Sequence, residues 1–198
     1  MQARPNALPL WVSAAMLGML NVACGAADRP TAAAATASSG QCLPDASGFL
    51  RAQLRGAINV DLDWHDADIR CEGGPRPDGE GLRVTIAGPL PASAGEQAGR
   101  TLRFVFGIDN AASATEGSAL ATNLTAIVEG EGALYATRGD DKCTVDHLQR
   151  RSASNAADAR EFRVDARGFC LGPASSIDGQ TRLLVTTFDF AGRVSLEP

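Results

Sequence analysis

Three stretches of this chain place a large apolar residue at every second position, and that period of two confines most of the polypeptide to β-structure. Ile58, Val60, Leu62 and Trp64 alternate with Asn59, Asp61 and Asp63. Leu82, Val84 and Ile86 alternate with Arg83 and Thr85, and Leu102, Phe104 and Phe106 with Arg103 and Val105. Successive side chains of a strand point to opposite faces, so each stretch reads as a strand with one buried face and one wet face. Five more segments read as strands: Asn123 to Glu129, Ala133 to Thr137, Lys142 to Leu148, Glu161 to Ala166 and Arg182 to Phe190. The intervals carry turn residues, among them Gly73-Gly74-Pro75, Asp78-Gly79, Gly88-Pro89, Gly139-Asp140 and Asp178-Gly179. Short strands punctuated in this way predict a mainly β protein, an antiparallel β-sandwich or barrel. The spacing of Phe49, Leu50 and Leu54, with Ser47 as a cap and Gly56 as a stop, predicts one short N-terminal helix packed on the sheet.

The first 27 residues have a different character. Arg4 precedes an apolar run from Leu8 to Leu20, followed by Asn21-Val22-Ala23-Cys24-Gly25-Ala26-Ala27. This order reads as an export signal with a small-residue processing site. The run is shorter than the roughly 20 residues a membrane-spanning helix needs. Cys24 after small residues resembles the lipobox of bacterial lipoproteins, which implies lipidation of Cys24 as a new N-terminus and attachment through acyl chains. The resemblance covers only these few residues and departs from the pattern at Asn21, where the family has Leu; Leu20 lies one position further upstream. The competing route is cleavage after Ala27, with Gly25 and Ala27 as the small pair. Residues 28 to 41 contain no large apolar side chain and read as a flexible spacer. Residues 42 to 198 then form a single disulfide-bonded β domain of a size usual for one hydrophobic core.

Of the five cysteines, either processing route leaves four: Cys42, Cys71, Cys143 and Cys170. In an exported protein these read as disulfides, and three connectivities are open to them. Neighbouring strands of a β meander favour Cys42–Cys71 and Cys143–Cys170. A zinc site is disfavoured because the cysteines do not fall in close pairs. The net charge of −5 and a pI of about 5.0 disfavour nucleic acid as a partner.

The densest polar cluster runs from Asp61 to Asp68, with carboxylates at Asp61, Asp63, Asp66 and Asp68 around His65. Four such groups repel one another, and a Ca²⁺ ion with oxygen ligands would relieve the repulsion. The spacing does not follow the calcium-loop pattern and no glycine turns inside it, so a solvated strand face screened by Arg51, Arg55 and Arg70 competes with the metal reading. His65 beside Asp63 and Asp66 also suggests general base catalysis. No Gly-x-Ser-x-Gly turn, Ser-x-x-Lys or unpaired mature cysteine marks a nucleophile, and the only other histidine is His147. Glu129-Gly130-Glu131-Gly132 lacks the lysine and the helix of a phosphate loop and reads as a hairpin turn. Asn123-Leu124-Thr125 fits a glycosylation sequon, which is uninformative if the source is bacterial, as the signal and composition suggest. Trp64 belongs to the inward set of its strand, which favours core packing over a sugar-stacking platform. Two long intervals, Asp109 to Ala121 and Arg150 to Arg160, could carry a recognition surface, with Arg150-Arg151 suited to an acidic partner.

Together these features predict an exported bacterial cell-envelope protein, in the periplasm or at the outer membrane surface and membrane-bound only through the acyl group. Its expected role is that of a non-catalytic binding or envelope-associated module for an envelope protein or ligand. An inhibitor of an extracytoplasmic hydrolase is the alternative, and an Asp/His-dependent enzyme a third. No cofactor is expected beyond the calcium considered at the acidic run.

Overall fold

The computed structural model describes residues 42–111, 118–130, 132–153 and 160–196. The signal segment with Cys24 and the spacer at 28–41 lie outside the described residues. Eleven antiparallel strands follow one another: β1 (Phe49–Gly56), β2 (Val60–His65), β3 (Arg70–Pro75), β4 (Gly81–Pro89), β5 (Thr101–Asp109), β6 (Leu120–Val128), β7 (Ala133–Ala136), β8 (Cys143–Ser152), β9 (Glu161–Cys170), β10 (Ala174–Ser176) and β11 (Arg182–Ser195). Helical geometry is confined to short 3-10 turns at Asp66–Asp68 and Ala92–Gln97 among the described residues.

The strands form one sheet that partly closes on itself. β11 is the hub and pairs with β1, β9 and β10. From β11 the pairing passes through β9, β8, β6, β7 and β10 and back to β11, which makes the closed part of the ring. Two arms leave it: β1 with β2, and β5 with β4 and β3. The second arm folds back so that β3 and β4 pack over β11. The result has the two-layered character expected of a sandwich with the continuity of a barrel.

The core lies between the layers. Phe106 of β5 meets Phe188 and Phe190 of β11, its ring 4.9 Å from that of Phe188 and 4.7 Å from that of Phe190, and Phe104 stacks on Phe106. Trp64 is buried beside Phe104, and its indole N–H donates to the Pro89 carbonyl oxygen at 2.8 Å. A buried tryptophan needs such an acceptor, and this bond fixes Trp64 as a core residue. Both disulfides join the expected partners, Cys42 to Cys71 and Cys143 to Cys170. The second connects residues directly opposite each other on β8 and β9.

Two local expectations change. Ser47 to Gly56 is not a helix: Phe49–Gly56 is β1, paired on one side with β2 and on the other with β11. Leu50, Ala52 and Leu54 point inward while Arg51, Gln53 and Arg55 point out, and sheet pairing on both edges overrides the weak helical spacing. Gly73-Gly74-Pro75 is the end of β3 and Gly88-Pro89 the end of β4, rather than turns. A Cβ on Gly73 would lie 2.7 Å from Val194 Cγ2 and 2.9 Å from the Arg83 carbonyl oxygen, so the glycine is what lets β3 lie close on β11. The two long intervals also shrink. β8 continues through Ser152 and includes Arg150 and Arg151, β5 runs to Asp109, and β6 begins at Leu120. Residues 112–117 and 154–159, the middles of those intervals, lie outside the described residues.

Candidate functional site

Strand alternation and one turn separate the four carboxylates of the acidic run. Asp61 and Asp63 stand on the wet face of β2, where Arg55 Nη1 approaches Asp61 at 2.7 Å and Arg51 Nε approaches Asp63 at 3.0 Å. Asp68 turns back to accept the His65 backbone N–H at 3.2 Å. Asp66 points the opposite way and is only 3% exposed. Its Oδ1 accepts the backbone N–H groups of Leu43 at 2.9 Å and Gly48 at 3.0 Å, and its Oδ2 accepts that of Cys42 at 3.2 Å. The residues expected to hold calcium are therefore not brought together, and no group of three metal-ligating side chains forms among the described residues.

Asp66 instead anchors the segment before β1. Three backbone donors that have no strand partner are satisfied by one carboxylate, and the Cys42–Cys71 disulfide holds the same segment covalently. Gly48 completes the corner: a Cβ there would overlap Asp66 Oδ1 and lie 2.8 Å from the Cys42 Cβ. His65 and His147 are on β2 and β8 with β1, β11 and β9 between them, so the two histidines do not form a pair.

The candidate surface lies on the outer face of β2, β1, β11, β9 and β8. A depression of about 470 Å³ opens there, within the range of small-molecule sites. Register places one row of side chains across it. Asp63 stands opposite Arg51, Arg51 opposite Asp189, Asp189 opposite Arg167, and Arg167 opposite His147. A second row runs from Asp61 through Gln53 and Thr187 to Phe169. Two bulges bend the sheet here. Gln53 and Leu54 face Thr187 and Val185, leaving Thr186 unpaired on β11, and Asp146 is the unpaired residue of β8. Such bulges re-aim side chains; Asp146 lies 3.5 Å from Arg167 Nε.

Each arginine of the first row leans outward, Arg51 to Asp63 and Arg167 to Asp146. The carboxylate of Asp189, directly between them in register, makes no hydrogen bond or ion pair among the described residues. One row away a different cluster is fully paired. Arg163 Nη2 lies 2.7 Å from Asp165 Oδ1, Arg151 Nη2 lies 2.7 Å from Asp165 Oδ2, and Arg163 Nη1 donates to Ser47 Oγ. Partial burial of Asp165 opposes its charge, but the hydrogen bonds from Arg163 and Arg151 outweigh that and hold its pKa below the ordinary value. The cluster ties the anchored segment to β9.

Arg51, Arg167, Phe169 and Asp189 do not stand out in the sequence. Their signal was present only as alternation, Arg51-x-Gln53, Arg167-x-Phe169 and Thr187-x-Asp189, and the pairing that gathers them cannot be read from spacing. The class defined by these features is a disulfide-bonded antiparallel β-sheet domain with a charged outer face. Comparison with family models, curated proteins and solved structures found no match, so the chemistry of this face carries the functional reading.

Proposed function

We propose that the protein is an exported, non-catalytic binding module of the bacterial cell envelope and that it binds its partner in the depression on β2, β1, β11, β9 and β8. The observation that supports this most is the unpartnered Asp189 at the centre of a shaped, bulge-flanked depression of about 470 Å³. The two disulfides are in keeping with an oxidising compartment outside the cytoplasm. No helix of the described residues is long and apolar enough to cross a membrane. The lipobox-like Cys24 would supply an anchor for the same module.

A second reading, inhibition of an extracytoplasmic hydrolase, has one observation in its favour. The turn between β10 and β11 exposes Ile177 to 69% at its tip. That turn is braced by Ser176 Oγ donating to Asp178 Oδ1 at 2.5 Å, and by the backbone N–H groups of Gln180 and Thr181, which donate to Asp178 Oδ1 and Ser176 Oγ at 3.0 Å each. A rigid turn with one projecting aliphatic side chain is a form that fits an enzyme cleft.

The test places a photoreactive side chain at Thr187 or at Ile177 and irradiates the protein in its native envelope. The depression reading expects an adduct from Thr187 that disappears when Gln53→Trp fills the site. Adducts from Ile177 alone would transfer the function to the turn, and adducts from neither position would end the binding-module reading.

A further inference from the structure

We propose that the depression receives an organic cation, an ammonium or guanidinium group, with Asp189 as its direct partner; this rests on the reading of the depression as a binding site. The charges lining it are four carboxylates, Asp61, Asp63, Asp146 and Asp189, and two guanidinium groups, Arg51 and Arg167. The arrangement of these six matters more than the excess. Arg51 and Arg167 each have a carboxylate on the far side, at 3.0 and 3.5 Å, so their charge is turned away from the centre. Asp189 is left half-buried between two strands with no partner among the described residues.

An anion entering this space would be repelled by the Asp189 carboxylate and would have to break an arginine pair to find a positive charge. A neutral ligand would strip water from Asp189 and return at most a dipole, which is unfavourable for a charged group. A cation does neither. It forms a charge-assisted hydrogen bond with Asp189, the strong kind in a partly dry site, and leaves both ion pairs standing. Phe169, next in the neighbouring row, offers a ring to the same charge. The two bulges fit this role, since they bend the sheet around the central residue instead of letting the row close into a continuous ladder of ion pairs.

The chemistry has two sources, the basic side chains of a peptide or a small free amine. Amide chemical shifts of the purified protein are followed at low salt during addition of acetyl-trilysine amide, spermidine, acetyl-triglutamate amide or chitotriose. A cationic probe shifts the amides of Arg51, Arg167, Phe169 and Asp189. Response to the peptide alone names a protein partner, response to spermidine alone a free amine, and either supports the proposal. Asp189→Asn weakens the response at least about tenfold while Asp189→Glu retains it, and unchanged melting temperatures show that both variants are folded. Equal affinity of Asp189→Asn and the parent overturns the assignment of Asp189. Shifts of the same amides by the glutamate peptide or by chitotriose, with none from the cations, overturn the cation and leave the depression standing as a site. Silence from all four probes with a persistent Thr187 adduct also overturns the cation, whereas loss of that adduct removes the underlying reading.

Discussion

The corner around Asp66 and the outer face around Asp189 use the same side chain to opposite ends. At the corner the carboxylate is buried and takes three backbone N–H groups, while a disulfide and a glycine fit tightly around it. On the outer face the carboxylate stands between two arginines that both turn away from it. The difference teaches how to tell a structural carboxylate from an available one. The side-chain type is shared by both; satisfaction of hydrogen-bonding capacity is not.

The contrast is broken most severely at the corner. Asp66→Ala strands three buried N–H groups and is expected to lower unfolding free energy by on the order of 4 kcal/mol. A loss under about 1 kcal/mol in denaturant titration would show that the corner is not held by Asp66. Replacing Cys42 and Cys71 together by serine removes a cross-link over 29 residues, with an expected loss of about 3–4 kcal/mol from loop-closure entropy. Thermal melts of that variant without and with reductant should coincide in the contribution of this bond and differ only through Cys143–Cys170. Gly48→Ala forces a methyl group against Asp66 and Cys42 and should destabilise by about 2 kcal/mol; a neutral result would mean that the segment before β1 yields freely.

A smaller effect separates the corner from the face through pH. The pKa of Asp165 is lowered in the folded state, so its contribution is present above the unfolded value and is lost as the pH falls through the lower folded one. Between about pH 5 and pH 2 the melting temperature of Asp165→Asn should therefore fall less than that of the parent. Parallel acid profiles would contradict the pairing with Arg163 and Arg151. The smallest effect belongs to the face itself: Arg51→Ala together with Asp63→Ala removes an exposed ion pair and should change stability by less than about 1 kcal/mol. A much larger loss in that double variant would mean that the row holds the sheet together and is not a free surface.

Much of the architecture is legible in the chain. Ile58 to Trp64, Leu82 to Ile86 and Leu102 to Phe106 mark strands because one side of each must be dry, and that requirement is local. The disulfide pairs also follow from short intervals of 29 and 27 residues. β1 is harder to read. Phe49, Leu50 and Leu54 satisfy a helical stripe as well as Leu50, Ala52 and Leu54 satisfy a strand, and only β2 and β11 on either side decide between them. Gly73-Gly74 resembles a turn for a similar reason, since the strand role of Gly73 depends on Val194, far along the chain. The candidate site was less legible still. The aspartates at 61 to 68 are conspicuous but dispersed by alternation, whereas Asp189 acquires its setting only when β11 lies between β1 and β9.

The pairing of β1 with β11 joins Phe49 to Ala191, close to the two ends of the described sheet. Strand order thus sets a timetable. β1 and β2 can pair with each other early, but the other edge of β1 has no neighbour until Arg182–Ser195 has emerged, and contacts of such long sequence separation form slowly. For a chain exported as proposed, that delay leaves the free edge of β1 open while the polypeptide is still in transit. The sheet then closes on itself last, when β11 has arrived.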